Sequence, residues 1–588
     1  MRLSRGRSSR RVPEGRLRST AVCSRAVRGV TAQIARYAPI VRWLPGYHWR
    51  WLRFDTLAGL AVWAVLMPQA IAYASLAGAP PQAGFYAAGA AVLLYAVLGT
   101  CKQLSVGPSS TPAVTAASIV ASASVRPDQK PALLAALALG SGIAMLAAGI
   151  VRLGFIADFV SRPVLVGFIS GIAIDVIVSQ FPKVLGVPGG SGSTFEKSWT
   201  IVQHLADTGW RPVAIGLAGL ATMILLQRFA SALPAALIVV GTSIAASRAL
   251  NLSEHGVAVV MNLPSSLPSL ALPHVGLKNI GLVVGGGLAL GLVSYAESIG
   301  AARSLARRRG YEVDPNQELI ALGGGNILAG FVQGFPTDAS LSRSSVADAA
   351  GVRTSLNGLV VFVLLITTIL WLTPLFDGLP QATLAAVIIG SIYRLVDLRG
   401  LRHLYRIDPR GDFALALIAL LAVLLFGPLG GIATAVTASL LVLIAKLYRP
   451  AIIVLGRASD EDEDEDTRYR NIERHPDSTT FPGLIIIRFG GELFFANATY
   501  LRNALRKLIK QAETPVERVI LDASEIPRVD TTAADVIHDL VDELAQQGIT
   551  LVIARPAYNL RADLDRFGLL DGRIEIVASV TQGVLQRR

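Results

Sequence analysis

Two short segments of the sequence combine proline, glycine and hydroxyl side chains inside long stretches that carry almost no charge. They are LSVGPSSTPAV (104–114) and GFPTDASLSRSSV (334–346). In each segment, proline stands where a helix can begin, and residues such as Ser109 and Ser340 follow it. A helix that begins in an apolar environment presents unpaired backbone N–H groups and the positive end of its dipole. Two such ends that face each other predict a binding site for an anion.

Four ionisable residues lie within the otherwise apolar stretches, namely Asp175, Glu297, Asp338 and Arg343. A charge inside a membrane is expensive, so each is a functional candidate by default. Arg343 adds a full positive charge to the second segment. Burial and a nearby anion both penalise an ionised carboxylate, so Glu297 is predicted to take up a proton when an anion enters. The alternative is that Glu297 pairs permanently with Arg343 as part of the structure. No role is assigned to Asp175.

The two segments occupy matching places in the two halves of the chain. Matched offsets predict a duplication of seven spans, and because seven is odd, the second copy is inverted in the membrane. The same offset places Glu297 opposite Gln69. The matched points are the span starts at Phe54 and Gly281, 227 residues apart (281 − 54), and the prolines Pro108 and Pro336, 228 residues apart (336 − 108).

The composition requires a membrane protein. Of the 588 residues, 52% are hydrophobic and only 16% are charged, against roughly 25% charged in ordinary soluble domains. Uncharged stretches long enough for a span of about 20 residues recur along the chain. We predict a polytopic α-helical protein with about fourteen spans, twelve of full length and two short and broken near 108–124 and 337–350. Cys23 and Cys101 are the two cysteines, which excludes a disulfide scaffold.

The distribution of arginine predicts the orientation. Residues 1–53 hold thirteen Arg and one acid, Glu14, so the basic charge is concentrated at the N-terminus. The loops after the predicted spans 8 and 12 are also rich in Arg, which places all three on the cytoplasmic side of the cell's plasma (inner) membrane. We interpret the tail as a cytoplasmic arm near anionic lipid, with an organelle transit peptide as the alternative.

The chain divides into four predicted regions. An unbroken acidic run, Asp460–Asp466, repels itself and predicts a solvated linker. The regions are a basic cytoplasmic tail (1–53), a membrane domain (54–450, with repeats at about 54–250 and 280–450), the acidic linker (451–482) and a soluble C-terminal domain (483–588).

The C-terminal region has the pattern of an α/β domain. Strand-like segments at 484–489, 518–524 and 549–554 alternate with helical patterns at 497–512 and 531–548. This alternation predicts a mainly parallel sheet covered by helices.

Several motifs, in order along the chain, resemble the sulfate permease (SulP) family, the bacterial relatives of the prestin and pendrin anion transporters. The C-terminal region resembles the STAS domain of that family. The resemblance implies fourteen spans in two inverted seven-span repeats, a division into core and gate subdomains, a homodimer and an elevator-like movement. The motifs are MPQAIAYASLAGAPPQAGFYAA (67–88), QLSVGPSST (103–111), RLGFIADFVSRPVLVGFISG (152–171), LPSSLPSLALP (263–273), YAESIGAARSLA (295–306), SLSRSSV (340–346), GELFFANATYLRNAL (491–505) and VILDASEIPRVDTTAADVI (519–537).

The resemblance also implies site residues. Glu297 corresponds to an acidic position that is linked to symport in proton-coupled members. This chain departs from many relatives at Thr337-Asp338, where they have small residues; a carboxylate there is expected to select against divalent anions or to move the coupling site. The implied anion ligands are Gln69, Tyr73, Ser109, Ser110, Ala339, Ser340, Ser342 and Arg343.

A second departure lies in the C-terminal domain. Many soluble relatives carry a phosphorylatable Ser after the Asp of one loop, and this chain has Asp530, Thr531, Thr532 and Ala533 there. Thr531 and Thr532 are therefore candidates for regulatory phosphorylation. The alternative is that Thr simply caps the following helix.

The leading hypothesis is a proton-driven secondary active transporter of a small anion, with sulfate as the family default. Bicarbonate, dicarboxylates such as fumarate, and an uncoupled exchanger or channel stay open. Sodium is less expected as the coupling ion, since no ring of oxygen ligands is evident, and no metal or other cofactor is implied. No nucleic acid is expected as a partner, whereas a cytoplasmic regulatory partner of the STAS domain stays open.

An enzyme is not indicated, because the sequence has no Walker loop, HExxH or GxSxG motif. The glycine-rich GGGN (323–326) is explained by close helix packing.

Overall fold

The computed structural model describes residues 38–586, except 124, 160, 191, 231–233, 261–264 and 459–468. It contains two compact units, Met1–Ser439 and Leu440–Arg588. The expectations for the basic tail before residue 38 and for the acidic run concern residues outside this description.

Helices dominate the first unit. The first long apolar helix begins at Trp49, five residues before the predicted start at Phe54. The helices are α1 Ile40–Trp43, α2 Trp49–Ala77, α3 Pro81–Leu98, α4 Ser110–Ser122, α5 Lys130–Ile150, α6 Arg162–Leu185, α7 Thr194–Gln203, α8 Trp210–Phe229, α9 Ala235–Ala249, α10 Ile280–Arg308, α11 Pro315–Phe331, α12 Leu341–Ala349, α13 Leu356–Thr367, α14 Gln381–Ile392, α15 Leu398–Ile407 and α16 Asp412–Tyr448.

Within the described residues, seven helices are long and apolar enough to cross a membrane, and four shorter apolar segments accompany them. The long ones are α2, α3, α5, α6, α8, α10 and α13 with its extension to Phe376. The shorter ones are α4, α9 and the two parts of α16, which is broken at Gly427, where φ is 74°. With α11, α12 and α14 they form two sets of seven. The prediction of twelve full-length spans is therefore wrong in detail, because glycine and proline shorten several of them.

The two sets of seven repeat with a constant offset. Helices α2 and α10 both have 29 residues, and their starts and ends are each 231 residues apart (280 − 49 and 308 − 77). The caps of the half-helices, Ser109 and Ser340, give the same 231 (340 − 109). The counterpart of Glu297 is therefore Leu66 (297 − 231), and the predicted match with Gln69 is wrong by one helical turn.

The error has a simple structural origin in the two prolines used for the alignment. Pro108 follows a short strand, β1 Val106–Gly107, whereas Pro336 precedes the equivalent strand, β3 Asp338–Ala339. The second half-helix begins at Leu341 with Ser340 as its cap, five residues after its proline.

Strands β1 and β3 pair with each other and bring the two half-helices together. They are antiparallel, with Val106 opposite Ala339 and Gly107 opposite Asp338. The backbone N–H of Ser340 extends the ladder with a 3.0 Å hydrogen bond to the Ser105 carbonyl. Backbone groups away from water must find partners inside the protein. This pairing supplies them and starts α4 and α12 side by side. A second short pair joins β2 Val259–Val260 to β4 Leu379–Pro380.

The helices of the first unit pack as two sets. Helix α11 packs on α5 and α3, and α10 packs on α5, whereas α14 packs on α8 and α6. We call α2–α5 with α10–α13 the core set, and α6, α8, α9, α14 and α16 the gate set.

Very close contacts within the core set explain the glycine-rich segment 323–326. A Cβ atom on Gly323 would lie 2.7 Å from the backbone nitrogen of Leu146, and one on Gly142 would lie 2.5 Å from that of Ile327. The close-packing interpretation is confirmed.

Asn326, in the same segment, has an additional role. Its Nδ2 donates to the Thr337 carbonyl at 2.9 Å, and its Oδ1 accepts from the Thr337 N–H at 2.8 Å. This amide fixes the residue that precedes β3.

Three buried carboxylates that the sequence analysis left without a role act as clamps between elements. Asp55 of α2 accepts from the backbone N–H groups of Arg353 and Thr354 at 2.7 and 3.0 Å and from the Thr354 hydroxyl at 2.7 Å. Asp175 of α6 binds Lys197 at 2.8 Å and the Thr194 hydroxyl at 2.7 Å. These carboxylates hold connections in place, since each has several donors.

Glu318 of α11 is the third clamp. It accepts from the Tyr95 hydroxyl at 2.8 Å, the Thr100 N–H at 2.8 Å and the Cys101 N–H at 3.2 Å. It thereby fixes the connection that leads from α3 to β1.

The second unit is a six-stranded sheet with the strand order β10-β9-β8-β7-β5-β6. β7 to β10 are parallel, as predicted, and β5 is antiparallel to β7. The elements are β5 Ile452–Arg457, β6 Tyr469–Asn471, β7 Leu484–Phe489, α17 Ala498–Gln511, β8 Arg518–Asp522, α18 Thr531–Gln546, β9 Thr550–Ala554, α19 Tyr558–Arg566, β10 Ile574–Val577 and α20 Val580–Leu585.

The predicted linker at 451–482 therefore differs from the structure, which uses β5 and β6 from this region to extend the sheet. The sequence gives only a weak indication of these two strands, because the acidic run separates them.

The cap of α18 is Asp530, whose Oδ1 accepts from the Ala533 N–H at 2.8 Å. Its Oδ2 also accepts from the Phe495 N–H at 2.9 Å. The alternative that a threonine caps this helix is therefore wrong. Thr531 and Thr532 are exposed in its first turn, and their phosphorylation stays a prediction.

A buried carboxylate also anchors the sheet of the second unit. Asp522, at the end of β8, is fully buried and lies 2.7 Å from both Arg488 and Arg555. Burial by itself raises the pKa of Asp522, but the hydrogen bonds and charges of Arg555 and Arg488 outweigh it. The pKa is therefore held below its ordinary value.

Candidate functional site

The two half-helices begin at a cavity of about 320 Å³ between the core set and the gate set. Seven of the eight predicted anion ligands line it, and so does Glu297. The lining ligands are Gln69, Tyr73, Ser109, Ser110, Ala339, Ser340 and Ser342.

The starts of α4 and α12 supply the donors of this site. Ser109 caps α4 without a side-chain hydrogen bond, and its hydroxyl has no partner. Ser340 caps α12 by accepting from the Arg343 N–H at 3.4 Å. The first-turn N–H groups and the positive ends of both dipoles are therefore directed to the same place. This is the arrangement that favours an anion.

Arg343 is the one predicted ligand that does not line the cavity. It is fully buried behind the wall, where Nη1 donates to the Pro108 carbonyl at 2.7 Å and to Gln69 Oε1 at 3.1 Å. Nε and Nη2 have no hydrogen-bond partner. Arg343 thus clamps the start of α4, orients Gln69 and places a positive charge behind the two helix ends.

Glu297 of α10 is half-buried and incompletely bonded. Its Oε1 accepts a 3.4 Å hydrogen bond from the Thr111 hydroxyl, and its Oε2 has no partner. Neither oxygen bonds to Arg343, so the alternative of a permanent Glu297–Arg343 pair is wrong. The carboxyl group faces the cavity and is available for a proton.

Asp338 lies behind the same wall. It is fully buried, and neither of its carboxyl oxygens has a hydrogen-bond partner. Its electrostatic neighbours include Glu297 and Arg343, and the Ser109 hydroxyl lies beside it. Asp338 is therefore close to the predicted anion site, but it does not line the cavity, and its effect on anion selection or coupling stays a prediction.

The opposite wall of the cavity comes from the gate set and is mainly apolar. Leu165 and Ile169 of α6 face it, together with Ser391 and Ile392 of α14 and the following Leu395. The predicted polar ligands are therefore all on the core set.

The cavity extends toward one side of the membrane. Ser304, near the end of α10, also lines it, as do Leu165 at the start of α6 and Leu395 just after α14. The arginine-rich segments 307–309 and 394–410 follow directly at these helix ends.

An inverted pair of seven-helix repeats with a central site at two half-helices defines a secondary transporter architecture. Comparison with known proteins agrees. The sulfate permease family model matches residues 52–419 and the STAS domain model matches residues 475–582. The chain belongs to the sulfate permease family of multi-pass anion transporters and carries a STAS domain.

Curated relatives extend over almost the whole chain. It is 35% identical over 542 residues to the probable sulfate transporter MT1781 of Mycobacterium tuberculosis, covering 92% of this chain and 96% of the relative. It is 32% identical over 560 residues to sulfate transporter 4.1, chloroplastic, of Arabidopsis thaliana, covering 91% and 79%.

Two solved structures share the fold. The murine Solute Carrier 26 family member A9 anion transporter in the inward-facing state has a TM-score of 0.84 at 21% identity, covering 100% of this chain and 99% of that one. The transmembrane domain of the cyanobacterium bicarbonate transporter BicA has a TM-score of 0.59 at 21% identity, covering 67% and 98%.

Proposed function

We propose that this protein moves a small anion together with a proton across the plasma membrane, with sulfate as the default substrate. One observation carries the proposal. Two half-helix N-termini and the Glu297 carboxyl group, one oxygen of which has no hydrogen-bond partner, meet in the same cavity. Anion and proton sites that share one cavity are coupled electrostatically.

The cavity chemistry suits a tetrahedral oxyanion. Backbone N–H groups, hydroxyls and the Gln69 amide supply donors around it, and Arg343 supplies long-range positive charge through the wall. The curated relatives named as sulfate transporters favour sulfate. Bicarbonate is the second candidate, because the BicA structure shares the fold, and dicarboxylates such as fumarate fit the same donors.

The proton step follows from the cost of charge in the membrane. Ionising a carboxyl group in a mostly apolar span costs several kcal/mol unless positive charge lies near. In the empty site, the two helix ends and Arg343 provide that positive charge. An entering anion uses it instead, so protonation of Glu297 becomes the favoured state. Anion and proton then bind with positive coupling.

The division of the cavity walls supports elevator-type movement. The polar ligands belong to the core set, and the gate set contributes a mainly apolar surface. An anion held by the core set is able to move along such a surface without breaking hydrogen bonds to the gate set. The arginine-rich helix ends favour a cytoplasmic opening of the cavity, and we therefore propose that the cavity is inward-facing. We also propose that the STAS domain is cytoplasmic.

The test is uptake into proteoliposomes that contain the purified protein. Labelled sulfate, bicarbonate and fumarate are offered separately with and without an inward proton gradient, and empty liposomes are the control. Accumulation above equilibrium for one anion, only with the gradient, is the expected result. If the anion enters but its internal concentration never exceeds the equilibrium value, the protein is an exchanger or channel. The absence of any uptake would contradict the proposal.

We also infer that the protein works as a homodimer, as its family resemblance implies. Cross-linking in native membranes, followed by mass analysis, tests this. A monomer at all cross-linker concentrations contradicts it.

A further inference from the structure

We infer that α15 lies in the membrane interface and that a row of its arginines binds the headgroups of anionic phospholipids. This short helix, Leu398–Ile407, connects α14 to α16. The inference concerns a surface outside the anion cavity and does not depend on the proposed transport.

The position of α15 follows from its two neighbours. Both α14 and α16 are apolar helices of the membrane domain, and only residues 393–397 and 408–411 separate them from α15. Five extended residues span at most about 18 Å. The helix is therefore confined to the membrane surface at which α14 ends and α16 begins.

Both ends of α15 are fastened to membrane helices. At its start, the backbone N–H of Asp397 donates a 3.2 Å hydrogen bond to the hydroxyl of Ser170 in α6. Near its end, the ring of Tyr405 packs edge-on against Phe413 of α16, with 5.2 Å between the ring centroids. Ser170 directly follows Ile169, which lines the anion cavity. The helix is thus held against the gate set.

One face of α15 is apolar and uncovered. Leu398, Leu401 and Tyr405 follow one another at intervals of three and four residues, so they share a face. Leu398 is 67% exposed and Tyr405 is 58% exposed. A face of this kind, next to membrane helices, is suited to contact with the acyl chains of lipids.

The neighbouring face carries a basic row with the same spacing. All of its members are exposed, and within the part of the chain that the structure describes none of them has an ion-pair partner. We call the following three residues the basic row: Arg399, Arg402 and Arg406.

The acids near the basic row are engaged elsewhere. Asp397 accepts from the N–H of Gly400 at 2.8 Å, and Asp408 accepts from the N–H of Gly411 at 2.9 Å. Segment 394–410 holds five Arg against these two acids, a net charge of +3 (5 − 2). The surface around α15 is therefore positive.

An anionic bilayer surface matches both faces at once. Guanidinium groups bind phosphate through paired hydrogen bonds, and the acyl chains lie directly beneath the phosphates. Each arginine near the surface contributes about a fivefold preference for an anionic membrane. A soluble acidic partner would satisfy the basic row and leave the apolar face uncovered, so the two faces together favour lipid.

The experiment places a fluorescent probe on the apolar face of the full-length protein. Leu398→Cys is labelled with bimane in a Cys23→Ser background, since Cys101 is buried. The protein is reconstituted in phosphatidylcholine with a minority of phosphatidylglycerol. Either the phosphatidylglycerol or an equal amount of the phosphatidylcholine carries bromine on its acyl chains, and bromine quenches only a nearby probe. We expect brominated phosphatidylglycerol to quench at least about fivefold more effectively.

Variants of the basic row test its part in this preference. Replacement of all three arginines by glutamine is expected to make the two brominated lipids equally effective, whereas replacement by lysine keeps the charge and should retain most of the preference. If the glutamine variant does not fold, Arg402→Gln alone takes its place and should weaken the preference. The matched control removes three exposed arginines of the second unit and should quench normally: Arg474→Gln, Arg561→Gln and Arg566→Gln.

Three results would overturn the inference. The first is equal quenching by the two lipids in the protein with an intact basic row, and the second is a preference that survives the loss of that row. The third is a preference that appears only after the acids of 460–466 are replaced by their amides, because that run would then be the partner of the row. Quenching requires no transport, so none of these results bears on the proposed function.

Discussion

The ammonium group of Lys183 in α6 donates a 3.0 Å hydrogen bond to the hydroxyl of Ser75 in α2. It joins the gate set to the core set. Both residues lie near the ends of their helices, on the side opposite to the one that the cavity reaches. For the site to open on that far side, this contact has to separate.

Removing the contact is therefore expected to favour the outward-open arrangement. Ser75→Ala loses a hydrogen bond to a charged group that is worth about 1.5 kcal/mol, so the population of the outward-open arrangement should rise roughly tenfold. Labelling of a cysteine introduced at Gln180 by an impermeant thiol reagent measures this. Thr242→Ala is the matched control, because the Thr242 hydroxyl bonds within its own helix. Equal labelling rates in Ser75→Ala and the unchanged protein would contradict the closing role.

A bulky side chain at the start of α12 should block the anion site without unfolding the protein. Ser342 is exposed and lines the cavity, so Ser342→Trp is expected to abolish sulfate binding and uptake. Ser345→Trp, on an exposed position of the same helix outside the cavity lining, should retain most uptake. Size-exclusion profiles and thermal melting check that both variants are folded. Normal affinity in Ser342→Trp would show that the site lies elsewhere.

Arg343 should matter for the geometry of the site rather than as a direct ligand. Arg343→Lys keeps the charge, but its shorter side chain does not bring the ammonium group to the position from which Arg343 Nη1 bonds both Gln69 and the Pro108 carbonyl. We expect at least about tenfold weaker sulfate binding in this variant, together with a lower melting temperature. Isothermal calorimetry and melting curves measure the two effects. Unchanged binding with lowered stability would assign Arg343 a purely structural role.

Glu297→Gln imitates the protonated carboxyl group. Anion binding and anion exchange should persist, whereas acceleration by an inward proton gradient should disappear. The measurement compares exchange of labelled sulfate at equal pH with accumulation under a gradient. Accumulation against the sulfate gradient in this variant would mean that the coupling proton is held by another group.

The STAS domain should lose stability in acid because of Asp522. Its pKa is lowered in the folded state, so its contribution is fully present above the ordinary aspartate value of about 3.9 and is lost as the pH falls below it. Asp522→Asn should cost roughly 3 kcal/mol at neutral pH, since it leaves Arg488 and Arg555 without their partner. It should also flatten the acid dependence.

Thermal melting of residues 450–588 between pH 3 and 7, at roughly unit steps, measures both effects on Asp522. Asp565→Asn, at an exposed position, is the matched control. A variant that melts as steeply in acid as the unchanged domain would contradict this role of Asp522.

Much of the anion site follows from residue type and spacing. Proline before hydroxyl residues predicted both half-helix starts, and the rarity of charge in the spans singled out Glu297 and Asp338. The predicted alignment of the two repeats, by contrast, was wrong by one helical turn. The reason is that Pro108 and Pro336 flank their strands on opposite sides. Sequence periodicity does not report such local differences.

Contacts between distant elements could not be predicted from the sequence. The carboxylates of Asp55 and Glu318 find their donors about 299 and 218 positions away, and no local pattern marks such a pair. The same holds for Lys183 with Ser75. A buried carboxylate within a span signals that a partner exists, but it does not identify that partner.

The pairing of β1 with β3 has a consequence for biosynthesis. Val106 reaches its partner Ala339 only after 233 further residues (339 − 106) have been made. At about 5–20 residues per second, synthesis of that stretch takes roughly 10–50 s. Until then the backbone groups of β1 lack their partner strand. The two halves of the predicted anion site therefore come together only after synthesis has reached the second half-helix, well into the second repeat.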